Sequence, residues 1–266
     1  METGTDHLLA DLSKGVLTLT LNRPEARNAM SGPMVDALSN MLSEAELNRE
    51  VRCVILTGAG KGFCAGGDIK GMAPSKDDSV DDIIARQRHE HHITAQKLYN
   101  LAKPTIAALP GAAAGAGMSW ALACDMRIMA NTAMMTTAFA NVGFSGDHGG
   151  TYFLSQLVGA AKARELYYFS NRVGAEEALK LGLTNWVCGP EELMNKTREM
   201  AEQLAAGPAV AYRYMKENFN RALASGDLKD CLDIEATHHI HCSQTEDHRE
   251  AIQAFVEKRT PVFKGR

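Results

Sequence analysis

Two periodicities of apolar residues alternate along the first 190 residues of the chain. Short runs rich in β-branched residues and leucine, closed by proline or glycine, predict strands. Longer stretches with an apolar residue at helical spacing predict helices. The predicted strands lie at 16–24, 51–60, 105–111 and 126–130. The predicted helices lie at 29–48, 75–102, 115–125, 151–170 and 175–183, and the pattern after residue 190 is almost entirely helical.

This alternation predicts an α/β fold in which helices cover a largely parallel sheet. We therefore divide the chain into a core at 1–190 and a helical C-terminal region at 191–266. The C-terminal region is too short for an independent domain of typical size. We expect it to pack on the core or on a neighbouring subunit.

Composition and charge exclude several classes of protein. A net charge of -4 and a pI near 6.1 give no indication that the chain binds nucleic acid or an acidic membrane. The six cysteines are scattered without a CxxC pair, so we expect buried thiols rather than a zinc site or disulfides. The acidic N-terminal stretch is unlike a secretory signal, and no apolar run approaches the roughly 20 residues that span a bilayer. We expect a cytoplasmic protein that does not enter the membrane.

Two glycine-rich loops each follow a predicted strand and lead into a helix. They are FCAGGDI at 63–69 and PGAAAGAGMS at 110–119. Glycine leaves backbone N–H groups unobstructed, and a helix N-terminus adds partial positive charge. Two such loops facing each other would form an oxyanion hole for a carbonyl oxygen. Neither the dinucleotide pattern GxGxxG nor a P-loop is present, so we do not expect a nucleotide cofactor.

Five segments of the chain, taken together, resemble the enoyl-CoA hydratase/isomerase, or crotonase, superfamily. The resemblance implies a crotonase-like spiral core of ββα units and a C-terminal helical region that forms a homotrimer or a dimer of trimers. It also implies an acyl-CoA thioester substrate, with coenzyme A as part of the substrate and no separate cofactor. The segments are NRPEARNAM (22–30), GFCAGGDIKGM (62–72), KPTIAALPGAAAGAGMSWALACDMRI (103–128), the stretch 149–187, and EAIQAFVEKRTPVFKGR (250–266).

The resemblance also assigns residues to the site. The oxyanion-hole N–H groups belong to Gly67 and Ala116, which match the family's motif positions. Further residues are implied to contact CoA, the last two reaching the CoA of a neighbouring subunit. These residues are Ala65, Gly66, Asp68, Ile69, Phe255 and Lys258.

The chain departs from the hydratases it resembles at both of their catalytic acids. Those hydratases use two glutamates to position and activate water. Here the two positions hold Ser119 and Phe139, so a two-glutamate hydration is not expected. The loop GFSGDHGGT at 143–151 instead carries Asp147, where isomerases of this family have an aspartate.

Asp147 has several possible roles. As an acid/base it would move a proton between two carbons and shift a double bond, and partial burial could raise its pKa. As a nucleophile it would resemble the dehalogenase branch, which also has a helical histidine. A count of twelve residues back from Pro104 places that histidine at His92, whereas we expect His89 and His91 to be surface residues. A helix cap or a solvated turn acid are the structural alternatives for Asp147.

No metal ion is expected. His148 adjoins Asp147, but adjacent turn residues usually point in different directions. The histidines of HHIHC at 238–242 lack a further ligand nearby to complete a tetrahedral set. Three functions therefore remain open: an enoyl-CoA isomerase or atypical hydratase, a dehalogenase- or hydrolase-type enzyme, and a non-catalytic acyl-CoA-binding oligomer.

Overall fold

The structure is a computed structural model that describes residues 1–68 and 78–266. The predicted alternation of strands and helices is present in these residues. The strands are β1 Leu8–Ser13, β2 Val16–Leu21, β3 Cys53–Gly58, β4 Gly62–Cys64, β5 Thr105–Leu109, β6 Ala112–Ala114, β7 Met126–Ala130, β8 Met134–Thr136, β9 Val173–Gly174 and β10 Trp186–Cys188. The α-helices are α1 Gly32–Leu47, α2 Val80–His91, α3 Lys97–Asn100, α4 Ala116–Ala123, α5 Gly150–Phe169, α6 Ala175–Lys180, α7 Leu193–Ala205, α8 Ala209–Ser225, α9 Leu228–Ser243 and α10 Glu246–Glu257.

The strands form two sheets that share a repeating connection. The larger, 6-stranded sheet has the order β1-β2-β3-β5-β7-β10 and is parallel except for the β1–β2 pair. The smaller, 4-stranded sheet has the order β4-β6-β8-β9. A strand of the larger sheet is followed after a short turn by one of the smaller in β3–β4, β5–β6 and β7–β8, and a helix comes next. One ββα unit therefore recurs along the chain.

The smaller sheet was not predicted from the sequence. Three of its strands have 3 residues each, and β9 has 2. A segment this short cannot establish a period of two, so its pattern does not distinguish it from a loop. β4, β6 and β8 form because the turn after each longer strand brings them side by side, and β9 then pairs with β8.

The long helix predicted at 75–102 is interrupted, and its first residues, 75–77, lie outside the described residues. The helix begins at Val80, where the Ser79 hydroxyl accepts a hydrogen bond from the Asp82 N–H at 3.1 Å. From His92 to Gln96 it is a π-helix. The Thr94 hydroxyl donates to the Glu90 carbonyl at 2.6 Å, which competes with the main-chain ladder at this point.

The hydrophobic core surrounds the larger sheet. β3 and β5 are buried along their whole length, as parallel strands covered on both faces are. All six cysteines are free thiols, and Cys53, Cys64, Cys124 and Cys188 are buried. No helix in the described part of the chain is long and apolar enough to cross a membrane.

The C-terminal helices differ in how they are buried. The predicted boundary at residue 190 falls between β10 and α7. α7 packs against β3 and β5 through buried residues that include Thr197 and Ala201. In α8, by contrast, no residue is buried. By its packing α7 completes the core, and the helices that follow extend from it.

The Asn28 side chain hydrogen-bonds to the loops that lead to the first glycine-rich segment. It is fully buried, and its backbone has a φ of 56°. Its Oδ1 accepts from the Arg23 N–H at 2.9 Å, and its Nδ2 donates to the carbonyls of Ala59 at 3.0 Å and Gly62 at 2.9 Å. One side chain thus hydrogen-bonds to three main-chain groups.

We expect Asn28→Ala to lower the free energy of unfolding by about 2–4 kcal/mol, because it leaves those groups unpaired and places alanine at a strained φ. Urea unfolding measures this. Asn171→Ala, at an exposed position, is the control and should change stability by less than about 0.5 kcal/mol. Equal effects of the two substitutions would contradict the role of Asn28.

Candidate active site

The first glycine-rich loop lies against the start of α4. The Met30 N–H donates to the Gly66 carbonyl at 2.8 Å, and the Asp68 N–H donates to the Met30 carbonyl at 3.2 Å. Gly66 has a φ of +93°, and a Cβ there would lie 2.9 Å from the Ala114 carbonyl oxygen and 3.4 Å from the Ala116 nitrogen. Only glycine allows so close an approach.

The second loop supplies the helix N-terminus. α4 begins at Ala116, directly after Gly115, whose φ of 53° and ψ of -129° turn the chain into the helix. In the described residues, neither the Ala116 N–H nor the Gly67 N–H donates a hydrogen bond. The two predicted loops therefore lie together, and neither N–H group donates a hydrogen bond to a described residue. Their action as an oxyanion hole stays a prediction.

The residues predicted to contact CoA have different surroundings. Ala65 is exposed and Gly66 is buried. The Asp68 carboxylate accepts from Arg23 Nη1 at 3.0 Å, an interaction that the sequence analysis missed although Arg23 lies in the quoted segment 22–30. Ile69 lies outside the described residues. Phe255 is 85% exposed and Lys258 is also exposed, so neither is buried within its own chain.

Asp147 has two carboxylate oxygens in unlike surroundings. Oδ1 accepts from Gln87 Nε2 at 2.9 Å, from the His148 N–H at 3.0 Å, and makes a short contact with His91 Nε2. Oδ2 accepts no hydrogen bond from the described residues, and its neighbour His148 Nε2 is 3.9 Å away. One oxygen is therefore held in place and the other remains available.

The histidine that reaches Asp147 is His91, and the predicted pair of His92 with Asp147 does not form. Gln87 and His91 are four residues apart and share the face of α2 that meets the loop. His92 is exposed, and its ring contacts Gln96 instead. The π-helix that begins at His92 accommodates an extra residue in its turn, so a count along the sequence did not establish which histidine faces the loop.

The carboxylate of Asp147 is held in its ionised form. Burial acts to raise its pKa, but hydrogen bonds from His91 and Gln87 outweigh burial and place the pKa below its ordinary value. This differs from the expectation that partial burial could raise the pKa. A carboxylate that accepts several hydrogen bonds is stabilised in its charged form.

His148 is a buried neutral histidine. It is 3% exposed, and its Nδ1 accepts a hydrogen bond from Trp120 Nε1 at 3.2 Å. The indole nitrogen can only donate, so the proton of the neutral ring is on Nε2. Burial lowers the pKa of His148 to about 4. Its backbone φ of 47° is strained for a residue other than glycine, as occurs at functional sites.

The cluster of His91, Asp147 and His148 does not fit a metal ion. Potential ligand atoms of the three residues lie within 4.8 Å of one another. However, Nδ1 of His148 is occupied by the Trp120 N–H, and its Nε2 carries the proton. A protonated nitrogen cannot ligate a metal, which leaves two ligands where a stable site usually needs more.

Ser119 and Phe139, which the resemblance sets at the positions of the hydratase acids, have structural contacts. The Ser119 hydroxyl donates to the Asp147 carbonyl at 2.9 Å, which links α4 to the loop. The Phe139 ring stacks on Tyr167 with 5.8 Å between centroids and 17° between planes. Serine therefore positions the aspartate loop, and the sequence analysis did not anticipate this role or the presence of Tyr167.

The chain is similar to known proteins along almost its whole length. The sequence model for the family described as Enoyl-CoA hydratase/isomerase matches residues 11–266. The 1,2-epoxyphenylacetyl-CoA isomerase of Escherichia coli (strain K12) is 34% identical over 261 residues, which are 98% of this chain and 99% of that protein. The short-chain-enoyl-CoA hydratase of Clostridium acetobutylicum is 36% identical over 249 residues, which are 92% of each.

Solved structures have the same fold. The crystal structure of an enoyl-CoA hydratase from Bacillus anthracis aligns with a TM-score of 0.90 at 34% identity, covering 98% of this chain and 100% of that one. The predicted crotonase-like fold is confirmed by this agreement. The relatives include both hydratases and isomerases, so their names do not decide the reaction.

We expect His148 to make stability depend on pH between about 4 and 6.5. The unfolded chain protonates this ring near its ordinary pKa, whereas the folded chain does so only near pH 4. Stability therefore falls as pH decreases through this window, by about 3 kcal/mol for the whole shift. His148→Asn keeps an acceptor for Trp120 and tolerates the positive φ, and it should remove this slope from urea-unfolding data.

His92→Asn is the matched control, because His92 is exposed. It should retain the slope of the wild-type chain. An unchanged slope in His148→Asn would show that another group titrates in this window.

Proposed function

The chain belongs to the enoyl-CoA hydratase/isomerase family, and we propose that it isomerises the double bond of an enoyl-CoA with Asp147 as the acid/base. The observation that carries this proposal is the Asp147 carboxylate, ionised and with Oδ2 unoccupied by the described residues. The hydratase acids are replaced by Ser119 and Phe139, whose contacts are structural. Asp147 is therefore the group we assign to proton transfer.

In the proposed reaction the substrate's thioester carbonyl lies between the Gly67 and Ala116 N–H groups. Oδ2 of Asp147 takes a proton from one carbon, and the electron pair of that C–H bond passes into a dienolate. The two N–H groups stabilise the negative oxygen, each by about 3–4 kcal/mol in comparable oxyanion holes. Asp147 then returns the proton to the other end of the conjugated system, and the double bond has moved.

The hydrogen bonds to Oδ1 affect this cycle in two ways. They orient the carboxylate, because His91 and Gln87 contact it from one face of α2. They also lower the pKa of Asp147, which makes the carboxylate a weaker base for proton abstraction and its protonated form a better acid for returning the proton. The Ser119 hydroxyl also orients the loop, because it donates a hydrogen bond to the Asp147 carbonyl.

A second candidate is hydrolysis with Asp147 as nucleophile, which the contact with His91 favours. Oδ2 would attack a carbon that carries a leaving group, and the leaving group would depart with its electron pair. The resulting aspartyl ester would be cleaved by water, with the His91 Nε2–H donating to the ester carbonyl oxygen and the proton of the attacking water released to solvent. His91 touches the oxygen that would become the ester carbonyl, so it lies close to the carbon that water must reach.

We expect Asp147→Asn to lower the exchange of acyl-chain hydrogens with solvent deuterium by about 10²- to 10⁴-fold, because the amide cannot act as a base. Mass spectrometry of enoyl-CoA thioesters incubated in D2O measures the exchange. His92→Asn, an exposed neighbour of His91, should exchange at the wild-type rate.

An aspartyl ester trapped on wild-type protein during turnover would instead favour the hydrolase. Exchange unaltered in Asp147→Asn would exclude Asp147 as the base, and tight binding without any turnover would favour a silent acyl-CoA binder.

We also propose that the chain assembles into a homotrimer, or a dimer of trimers, through its C-terminal helices. A groove of about 550 Å³ runs between α5 and α8 and is mainly apolar. It is lined by Phe153, Leu157 and Leu223, among others, and Phe219 at its edge is 72% exposed. Apolar patches of this kind commonly mark protein interfaces. In such an assembly Phe255 and Lys258 would reach the CoA bound by a neighbouring subunit.

Phe219→Asp should place a charge in this interface and dissociate the assembly. Sedimentation velocity should give a multiple of three chains for wild type and a smaller particle for the variant. Leu47→Asp is the control, since Leu47 is 84% exposed at the end of α1, away from the groove. A monomeric wild-type chain would contradict the proposed assembly.

A further inference from the structure

A polar cleft lies at the edge of the larger sheet opposite the two glycine-rich loops. The segments that precede β2, β3 and β5 meet there, whereas Gly67 and Ala116 come after the carboxyl ends of β3 and β5. β3 has 6 residues, so about 20 Å of strand separates the cleft from the candidate active site. The volume of the cleft is about 800 Å³, which is within the range of small-molecule sites.

Positive charge predominates in this cleft. Its acidic side chains are Glu50 and Glu202, and Glu202 is paired with Lys14 at 2.9 Å. In a chain with a net charge of -4, a concentration of cations in one cleft attracts anions to that face. The cationic side chains that line it are Lys14, Arg49, Arg52, Lys103, Lys264 and Arg266.

The Arg52 guanidinium is a fixed charge without an acidic partner among the described residues. Its Nη1 donates to the Phe263 carbonyl at 3.2 Å, and its Nη2 donates to the Gly207 carbonyl at 2.6 Å. Its Nε is buried and has no hydrogen-bond partner in the described part of the chain. Carbonyl groups orient a guanidinium but do not neutralise it, and a partly buried charge without a counter-charge is costly.

Arg49 and Lys103 are also without an acidic partner in the residues that the structure describes. Lys103 Nζ donates to the Asn48 carbonyl at 3.4 Å. Burial lowers the pKa of Lys103, and the charge of Arg52 adds to this effect, while Glu46 opposes it. A bound anion would stabilise both neighbouring cations at once.

The start of α8 adds main-chain donors to the same cleft. Ala209, the first residue of this 17-residue helix, lines the cleft, and no side chain caps the helix. The N–H groups of a first helical turn lack intrahelical acceptors and carry partial positive charge. Arg52 bonds to Gly207, two residues before the helix, so the side-chain charge and the helix end adjoin the same cavity.

The spacing of the cations indicates the size of the anion. β2, β3 and β5 are neighbours in the sheet, and Lys14, Arg52 and Lys103 precede them in turn. Neighbouring strands lie about 4.8 Å apart, so these three positions extend over roughly 10 Å. A single carboxylate cannot span that distance, whereas two phosphate groups can place anionic oxygens along it. The described lining contains no aromatic side chain on which a nucleobase could stack.

We propose that this cleft binds a compact anion with two or more phosphate groups, such as inorganic pyrophosphate or a sugar bisphosphate. Arg49 and Lys103 are the direct donors, and Arg52 supplies a fixed positive charge. The site is additional to the acyl-CoA site, and it does not depend on the proposed function.

Isothermal titration calorimetry with inorganic pyrophosphate tests this proposal. We expect wild type to bind with a Kd of about 1 mM or below at about 0.1 M salt. The double substitution Arg49→Gln with Lys103→Gln removes two unpaired charges and should weaken binding by about 5- to 30-fold. Arg172→Gln with Lys180→Gln, at two exposed positions, removes the same net charge and should stay within about twofold of wild type.

Arg49→Gln alone, at an exposed residue, should weaken binding by about 3-fold and decides the test if the double variant does not fold. Arg23→Gln, beside Asp68 in the predicted CoA-contact loop, should bind pyrophosphate as wild type does. No binding to wild type, or equal weakening by the double variant and its control, would overturn the inference. Loss of binding in Arg23→Gln alone would also overturn it, because the anion would then lie in the acyl-CoA site. Deuterium exchange that depends on Asp147 is measured separately and tests only the proposed function.

Discussion

The candidate site depends on how closely the backbone after β4 approaches the first turn of α4. Gly66 can adopt its φ of +93° and lie against Ala114 and Ala116 only because it has no side chain. That approach leaves two N–H groups, of Gly67 and Ala116, without partners in the described part of the chain. Unpaired donors beside a helix N-terminus are suited to a developing negative charge, which is the basis of the oxyanion hole proposed above.

The Asp147 loop meets a second requirement, which is to keep a partly buried carboxylate charged and oriented. Hydrogen bonds from α2 act on one oxygen, while Ser119 of α4 holds the main chain of the same residue. The next residue, His148, has a neutral ring whose Nδ1 accepts a hydrogen bond from Trp120. The positive φ of His148 is maintained by this packing. The same contacts therefore stabilise the loop and determine the state of its acid.

The sequence predicted β2, β3, β5 and β7, most helices and the two glycine loops, because each has a period or a composition that is visible locally, but it did not predict β1. It did not predict which histidine reaches Asp147. His91 and His92 are equivalent in residue type and differ only in the face of a helix that changes to π geometry between them. Arg23 and Tyr167 were missed for a related reason. Nothing in the neighbouring residues indicates that Arg23 will meet Asp68, or that Tyr167 will lie against Gly150.

By itself, the sequence determined the family resemblance, the alternation of strands and helices, and the presence of one aspartate in a loop without the usual glutamates. These features depend on residue type and spacing along the chain. Only the tertiary structure decided that Asp147 is ionised, that one of its oxygens is occupied, and that Ser119 supports its loop. Each of these follows from contacts between α2, α4 and α5, and a pKa or a hydrogen bond depends on distances in space that residue order does not specify.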